Sequence, residues 1–236
     1  MNYIIVIDDK EIEYEINFSK RKSVSIRILE PYKIEVKAPS RVDVKRIVEF
    51  VESKKNWISK KSKEMKLVNY KVYEKKYTDG EIYLVFGKEY KLQIIVKNEL
   101  GANNTTLHNN ILCISTNDDS VENIKNMLEN LYRKLTYNEI IKSVNKLQTS
   151  FAQVPTQIKV KEQKRRWGSC TGKDALLFNW RLSMCPKEVI EYVVLHEMCH
   201  MVHKNHSKNY WDLVLKLMPN YKEKELWLKE NAYKIV

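Results

Sequence analysis

The sequence is short of the residues that mark several protein classes. It has five glycines and five prolines in 236 residues, and no low-complexity linker divides it. Gly80 and Gly87 do not have the spacing of a phosphate-cradling loop, which excludes a P-loop nucleotide site. The four cysteines, Cys113, Cys170, Cys185 and Cys199, form no C-x-x-C pair and no regular framework. They read as reduced thiols of a cytoplasmic protein rather than a disulfide scaffold. No apolar run approaches the ~20 residues needed to cross a bilayer. The opening "MNYIIVIDDKEIEYEI" lacks a charged n-region and a long h-region, so it reads as no signal peptide. Histidine is also scarce. Yet four of the five histidines fall in "HEMCHMVHKNH", residues 196–206.

Acidic residues are outnumbered, 30 against 42 basic ones, for a net charge of +12. Such a balance fits a nucleotide, nucleic acid or another polyanion as partner. The lysines are spread along the chain, however, and only "KVKEQKRRWGSC" (159–170) is locally dense.

Periodicity predicts an α+β chain. Short alternating runs at 3–7, 11–18, 23–29 and 33–38 read as strands, and Ile47, Val51 and Ile58 carry one helix over 42–68. A hairpin is expected over 81–97 around Gly87-Lys88, then a polar loop (98–110) and a strand (111–116). Asp119 with Glu122 resembles a capping box for a helix ending near Leu147. Strands follow at 156–163 and 175–183, the latter with Leu176, Phe178, Trp180 and Leu182 on one face. Pro186 opens the helix that holds the histidines, and helices at 207–218 and 221–233 finish the chain. Strands followed by a helix occur near 23–68, 82–147 and 157–203, as in a degenerate repeat. We divide the chain at 1–78, N-terminal strands plus helix, and 79–236, a metal-dependent catalytic region.

On a helix through 186–203, His196 and His200 lie ~40° apart around the axis and ~6 Å along it, so their rings can converge on one ion. Zinc takes neutral imidazole nitrogens of this kind. Glu197 is turned ~100° from His196 and suits a general base acting on water at the ion. The pattern is H-E-x-x-H. His203 shares the helix face but lies ~10 Å along the axis from His196. His206 follows Asn205, which tolerates the left-handed turn that ends helices, and is the favoured third ligand. Ser207 then stands where the next helix needs a cap. Glu223, Asp212 and the soft Cys199 are the other ligand candidates. Cys199 also reads as a small buried hydrophobe.

The stretches "RRWGSC" (165–170), "NWRLSMCPKEVIEYVVLHEMCH" (179–200), "NHSKNYW" (205–211) and "MPNYKEKELWLKE" (218–230) carry a resemblance. So do "RKSVSIRILEPYKIEVKAPS" (21–40) and "KKNWI" (54–58). The chain resembles the YgjP-like metallopeptidase domain family, relatives of the SprT-like proteins within the zincin group. The resemblance implies a zincin-like catalytic domain, its H-E-x-x-H helix packed on a small, mostly antiparallel sheet and preceded by hairpin-plus-helix units. It implies zinc held by His196, His200 and His206, with Glu197 as base. Tyr210 stands where the family usually has phenylalanine, as a core aromatic or with its hydroxyl toward substrate.

The leading expectation is a zinc metallopeptidase acting on a peptide or protein through zinc-activated water. Arg181, His203 and Tyr210 are candidate oxyanion donors, and the 175–183 strand is a candidate edge for an extended peptide. Trp167 and Gly168 read as a turn beneath the metal helix or a wall of the cleft. Ser169 has no neighbouring base to make it a nucleophile. One alternative is a metal-dependent phosphohydrolase gripping a nucleotide with Lys159, Lys161, Lys164, Arg165 and Arg166. Another is a nucleic-acid-associated protein with a structural zinc, which would have no use for Glu197.

Overall fold

The computed structural model describes residues 2–67, 75–97, 103–163, 166–231 and 235. The chain is α+β and divides into two compact units, Met1–Lys71 and Val72–Val236. Among the described residues no helix is long and apolar enough to cross a membrane.

The first unit holds strands β1 (Asn2–Ile7), β2 (Lys10–Ser19), β3 (Ser25–Glu30) and β4 (Lys33–Pro39) in the order β1-β2-β4-β3. Strand alternation decides what is buried. Ile5 and Ile7 face the core, while Ile4 and Val6 face out. The core closes against Ile47 and Val51 of α1 (Val44–Ser53) and Ile58 of α2 (Lys55–Leu67). These helices replace the single one expected over 42–68. Lys54 leaves helical geometry at φ −99°, ψ 5°, and its N–H reaches back three residues to the Val51 carbonyl. No glycine or proline marks that break, so periodicity reads straight through it.

The second unit begins with β5 (Ile82–Val85), β6 (Lys88–Val96), β7 (Asn104–His108) and β8 (Ile111–Thr116), ordered β5-β6-β8-β7. The 98–110 segment was expected to be a loop. Residues 98–102 lie outside the described residues, and 104–108 form β7, closed onto β8 by Asn109 and Asn110 at φ 46° and 60°. The first hairpin turns at Phe86-Gly87, one residue before the expected position, because Val85 pairs with Lys88. Helix α3 (Val121–Leu147) lays Ile124, Leu128 and Tyr132 on this sheet. Its cap is Ser120, whose hydroxyl accepts from the Asn123 N–H at 3.4 Å, rather than Asp119.

A three-stranded sheet follows, of β9 (Gln157–Lys161), β10 (Gly168–Cys170) and β11 (Ala175–Asn179), ordered β10-β11-β9. Every sheet contains one parallel pair, so the sheets are mixed, with antiparallel pairings the more numerous among the described strands. Strand β11 stops at Asn179, whose side-chain oxygen accepts from the Arg181 N–H and starts a 3-10 helix, Trp180–Met184. Trp180 therefore leaves the strand face expected for it and packs on Tyr132. Helix α4 (Lys187–Val202) is buried on nearly every side, among Val189, Ile190, Val194, Leu195 and Met198, as expected of a helix apolar all round. Helices α5 (Lys208–Leu217) and α6 (Tyr221–Asn231) complete the unit. The expected end of the last helix at 233 lies outside the described residues.

Candidate metal centre

Helix α4 places His196 and His200 one turn apart, with ring centroids 5.0 Å from each other. It ends at His203, which leaves helical geometry at φ −125°, ψ 106° while its N–H still bonds the Cys199 carbonyl. The chain then doubles back. The Asn205 side chain accepts from the Ser207 N–H at 3.2 Å, and this tight local turn returns His206 toward the helix. Ser207 sits at the α5 cap position but makes no side-chain capping bond.

The outcome is convergence. The His206 Nε2 lies 3.1 Å from that of His196 and 3.2 Å from that of His200. Two nitrogens bound to a tetrahedral zinc at ~2.05 Å would be about 3.3 Å apart, so the donor set fits such an ion. The ligand atoms of all three residues lie within 4.8 Å of one another. Among the described residues, His203, Cys199, Asp212 and Glu223 stand outside this group.

Protonation favours the same use. His200 Nδ1 donates to the His203 carbonyl at 3.0 Å, so the proton sits on Nδ1 and Nε2 offers a lone pair. Burial, helped by the neighbouring imidazoles, pushes His196 down to about 3 and lowers His200 as well. Both rings are thus neutral at physiological pH, as metal ligation requires. Helix α5 braces the triad. The Tyr210 ring stacks on His200 at 4.6 Å and Trp211 on His206 at 5.6 Å. The Tyr210 hydroxyl donates to the His196 carbonyl at 3.0 Å. Tyr210 is fully buried, so this bond, not a substrate, occupies its hydroxyl.

Glu197 is 5% exposed and lies beneath β10. A Cβ at Gly168 would stand 2.7 Å from its Oε1, so only glycine allows the strand this close. Burial pushes the Glu197 carboxyl up to about 7, while Arg166 and a hydrogen bond from the Cys170 backbone N–H pull it back down. That value suits proton transfer near neutrality. Cys199 is wholly buried and its thiol is pushed up to about 12, which makes it a core hydrophobe and a poor thiolate donor.

Other expectations resolve differently. Arg181 pairs with Glu162 at 2.7 and 2.8 Å and covers the Trp180 ring, so it is tied into the scaffold. Strand β11 lies between two others and has no free edge; the edges are β9 and β10, and β10 is the one beside Glu197. The Trp167 carbonyl and the Thr171 N–H both point to β11, so Gly168 and Cys170 present their backbone outward. Of the basic run, Lys164 and Arg165 lie outside the described residues. Lys159 and Lys161 sit on β9, beyond β11, while Arg166 shares a cleft with His196 and Glu197. Among the described residues of the run, only Arg166 shares that cleft. Gly168 was expected as a turn or a wall of the cleft, Arg166 as part of a nucleotide grip, and Tyr210 as a core aromatic or a donor to substrate. That Gly168 makes room for Glu197, that Arg166 acts on its carboxyl, and that Tyr210 and Trp211 brace the histidines was not expected.

Comparison with known families matches residues 22–231 to the YgjP-like metallopeptidase domain. No curated protein matches the chain.

Proposed function

Because the chain belongs to the YgjP-like metallopeptidase domain family, we propose that it is a zinc-dependent peptidase of zincin-like arrangement, with its catalytic region within 79–236. His196, His200 and His206 are the proposed zinc ligands and Glu197 the general base. The convergence of three imidazole Nε2 atoms beside one buried carboxyl group carries this reading. Bound zinc would supply Lewis acidity, acidifying water toward pKa ~7 and polarising a carbonyl. Glu197 takes a proton from the attacking water and hands it to the departing amine. Its hydrogen bond from the Cys170 N–H fixes the carboxylate, and the missing side chain at Gly168 leaves it room. The outward backbone of Gly168 lies at the open β10 edge, suited to an extended peptide. Free cysteines support a reducing, cytoplasmic setting.

The test joins metal analysis with peptide hydrolysis. Wild type is expected to hold about one zinc per chain, lost in His206→Ala and kept in His203→Ala. Glu197→Gln should keep the metal and lose about 10²–10⁴-fold in hydrolysis. Gly168→Ala should keep it too, and lose about a hundredfold through a displaced carboxylate. Full zinc in His206→Ala, or undiminished hydrolysis in Glu197→Gln, would overturn the reading.

A further inference from the structure

A cleft of about 470 Å³ opens beside the triad, and His196 and Glu197 form part of its wall. The rest is mainly apolar. Tyr192 and Val193 come from the turn of α4 before His196, Trp167 from the approach to β10, and Leu228 from α6. Arg166 also lines it, as do Glu225 and Lys229, paired at 2.9 Å on α6. Anything filling this space touches both the candidate base and a candidate ligand. Its volume lies in the range of sites that hold small ligands, roughly 300–1,000 Å³.

Tyr192 gives the cleft a definite chemistry. It is 4% exposed and held rigid, stacked on Tyr221 at 6.3 Å and edge-on to His196 at 6.0 Å. Its side chain lines the cleft next to His196, where an incoming group would meet it. Tyr192, Val193, Trp167 and Leu228 give an apolar side chain a surface to bury against.

Resting on the peptidase reading, we propose that this cleft is the specificity pocket for the substrate residue next to the scissile bond. It takes a bulky, mainly apolar side chain, aromatic or long aliphatic. Leu228 on α6 limits its depth, so the C-terminal helix is a specificity element as well as part of the core.

The probes are two peptidyl hydroxamates identical except for one side chain, benzyl or hydrogen, titrated calorimetrically into the zinc-loaded full chain. The benzyl probe is expected to bind at least about tenfold tighter, because it alone buries a ring. Leu228→Trp should shrink that ratio to below about threefold by filling the cleft. If that variant does not fold, Leu228→Ala serves instead and should favour a naphthylmethyl probe over the benzyl one. Equal binding of both probes to wild type overturns the pocket, and the peptidase reading survives if peptides are still cleaved. A clear benzyl preference with no peptide cleaved by any preparation sinks the peptidase reading and leaves the pocket. Failure of both probes to bind the zinc-loaded chain overturns the pocket together with the metal site.

Discussion

The chain builds the same four-stranded arrangement twice and uses it for different ends. In each sheet two hairpins lie side by side, and their inner strands run parallel, β2 with β4 and β6 with β8. In each the first hairpin closes through two residues in the left-handed region, Asp8-Asp9 and Phe86-Gly87. The partners of those turns differ. Asp8 accepts hydrogen bonds from Tyr32, from Ser59 at 2.6 Å and from Lys63 at 2.9 Å, so the first turn is clipped to its own helix α2. Phe86 and Gly87 instead donate their N–H groups to the Ser183 and Met184 carbonyls at 2.7 and 3.1 Å. Those carbonyls belong to the segment that enters α4. One turn therefore serves local stability, while its counterpart fixes the start of the helix that carries the histidines. The three-stranded sheet has another strand order, so the repeat spans two units, not three, and the first begins at β1 rather than near residue 23.

Exchanging the second turn residue is the sharpest way to break this comparison. At Gly87 a Cβ would stand 2.8 Å from the Pro186 side chain, and φ is +77°. Gly87→Asp should cost about 3 kcal/mol, the left-handed penalty plus overpacking, and should weaken zinc binding because α4 loses its anchored start. The reciprocal change, Asp9→Gly at φ 59°, should stay within about 0.5 kcal/mol. Urea titration of both variants decides, and equal costs would mean that the two turns are equivalent. Next in size is Thr136 on α3. Its hydroxyl donates to the Trp180 carbonyl at 2.6 Å and accepts from the Ser183 N–H at 3.1 Å, all within the core. Thr136→Val keeps the shape, strands the buried Ser183 N–H and leaves the Trp180 carbonyl the longer bond from the Ser183 hydroxyl at 3.3 Å, an expected loss of about 2 kcal/mol.

Much of this was legible because it is local. Alternation in "YIIVI" marks which isoleucines face inward, and the i, i+4 histidines with Asn205 beyond them bring the triad into view. Less legible was whatever depends on a partner distant in sequence. "NTTLH" is too polar to announce a strand, and β7 forms because β8 presents its edge. "WGSC" gives no local sign that Gly168 lies against Glu197, since the nearness belongs to β10 and α4 together. Trp180 continues the strand alternation by pattern, but the Asn179 cap turns the chain and sends it to another core. The division of 42–68 into two helices needs one backbone angle at Lys54 that no residue type demands.

The smaller predictions concern the first unit. Ser62 is wholly buried on α2, and its hydroxyl accepts from the Tyr32 N–H at 3.1 Å, one bond where Thr136 makes two. Ser62→Ala should cost about 1 kcal/mol, visible by hydrogen exchange in residues 2–63 and absent from zinc affinity. Asp8 tests the turn itself. Hydrogen bonds from Ser59 and Lys63 hold its carboxyl down at about 2, against an ordinary 3.8. A depressed carboxyl contributes stability that is complete above its unfolded value and is lost as pH falls through its folded one. Protection in the first unit, taken relative to the intrinsic exchange rate at each pH, should therefore fall as pH drops from about 4 to about 2, and Asp8→Asn should flatten that fall. The effect is modest and shrinks with added salt, because the side chains involved are partly exposed. The Phe86-Gly87 turn is held by backbone bonds and has no carboxylate of its own. If acid loosened both turns alike in Asp8→Asn, the polar clip would not be what distinguishes them.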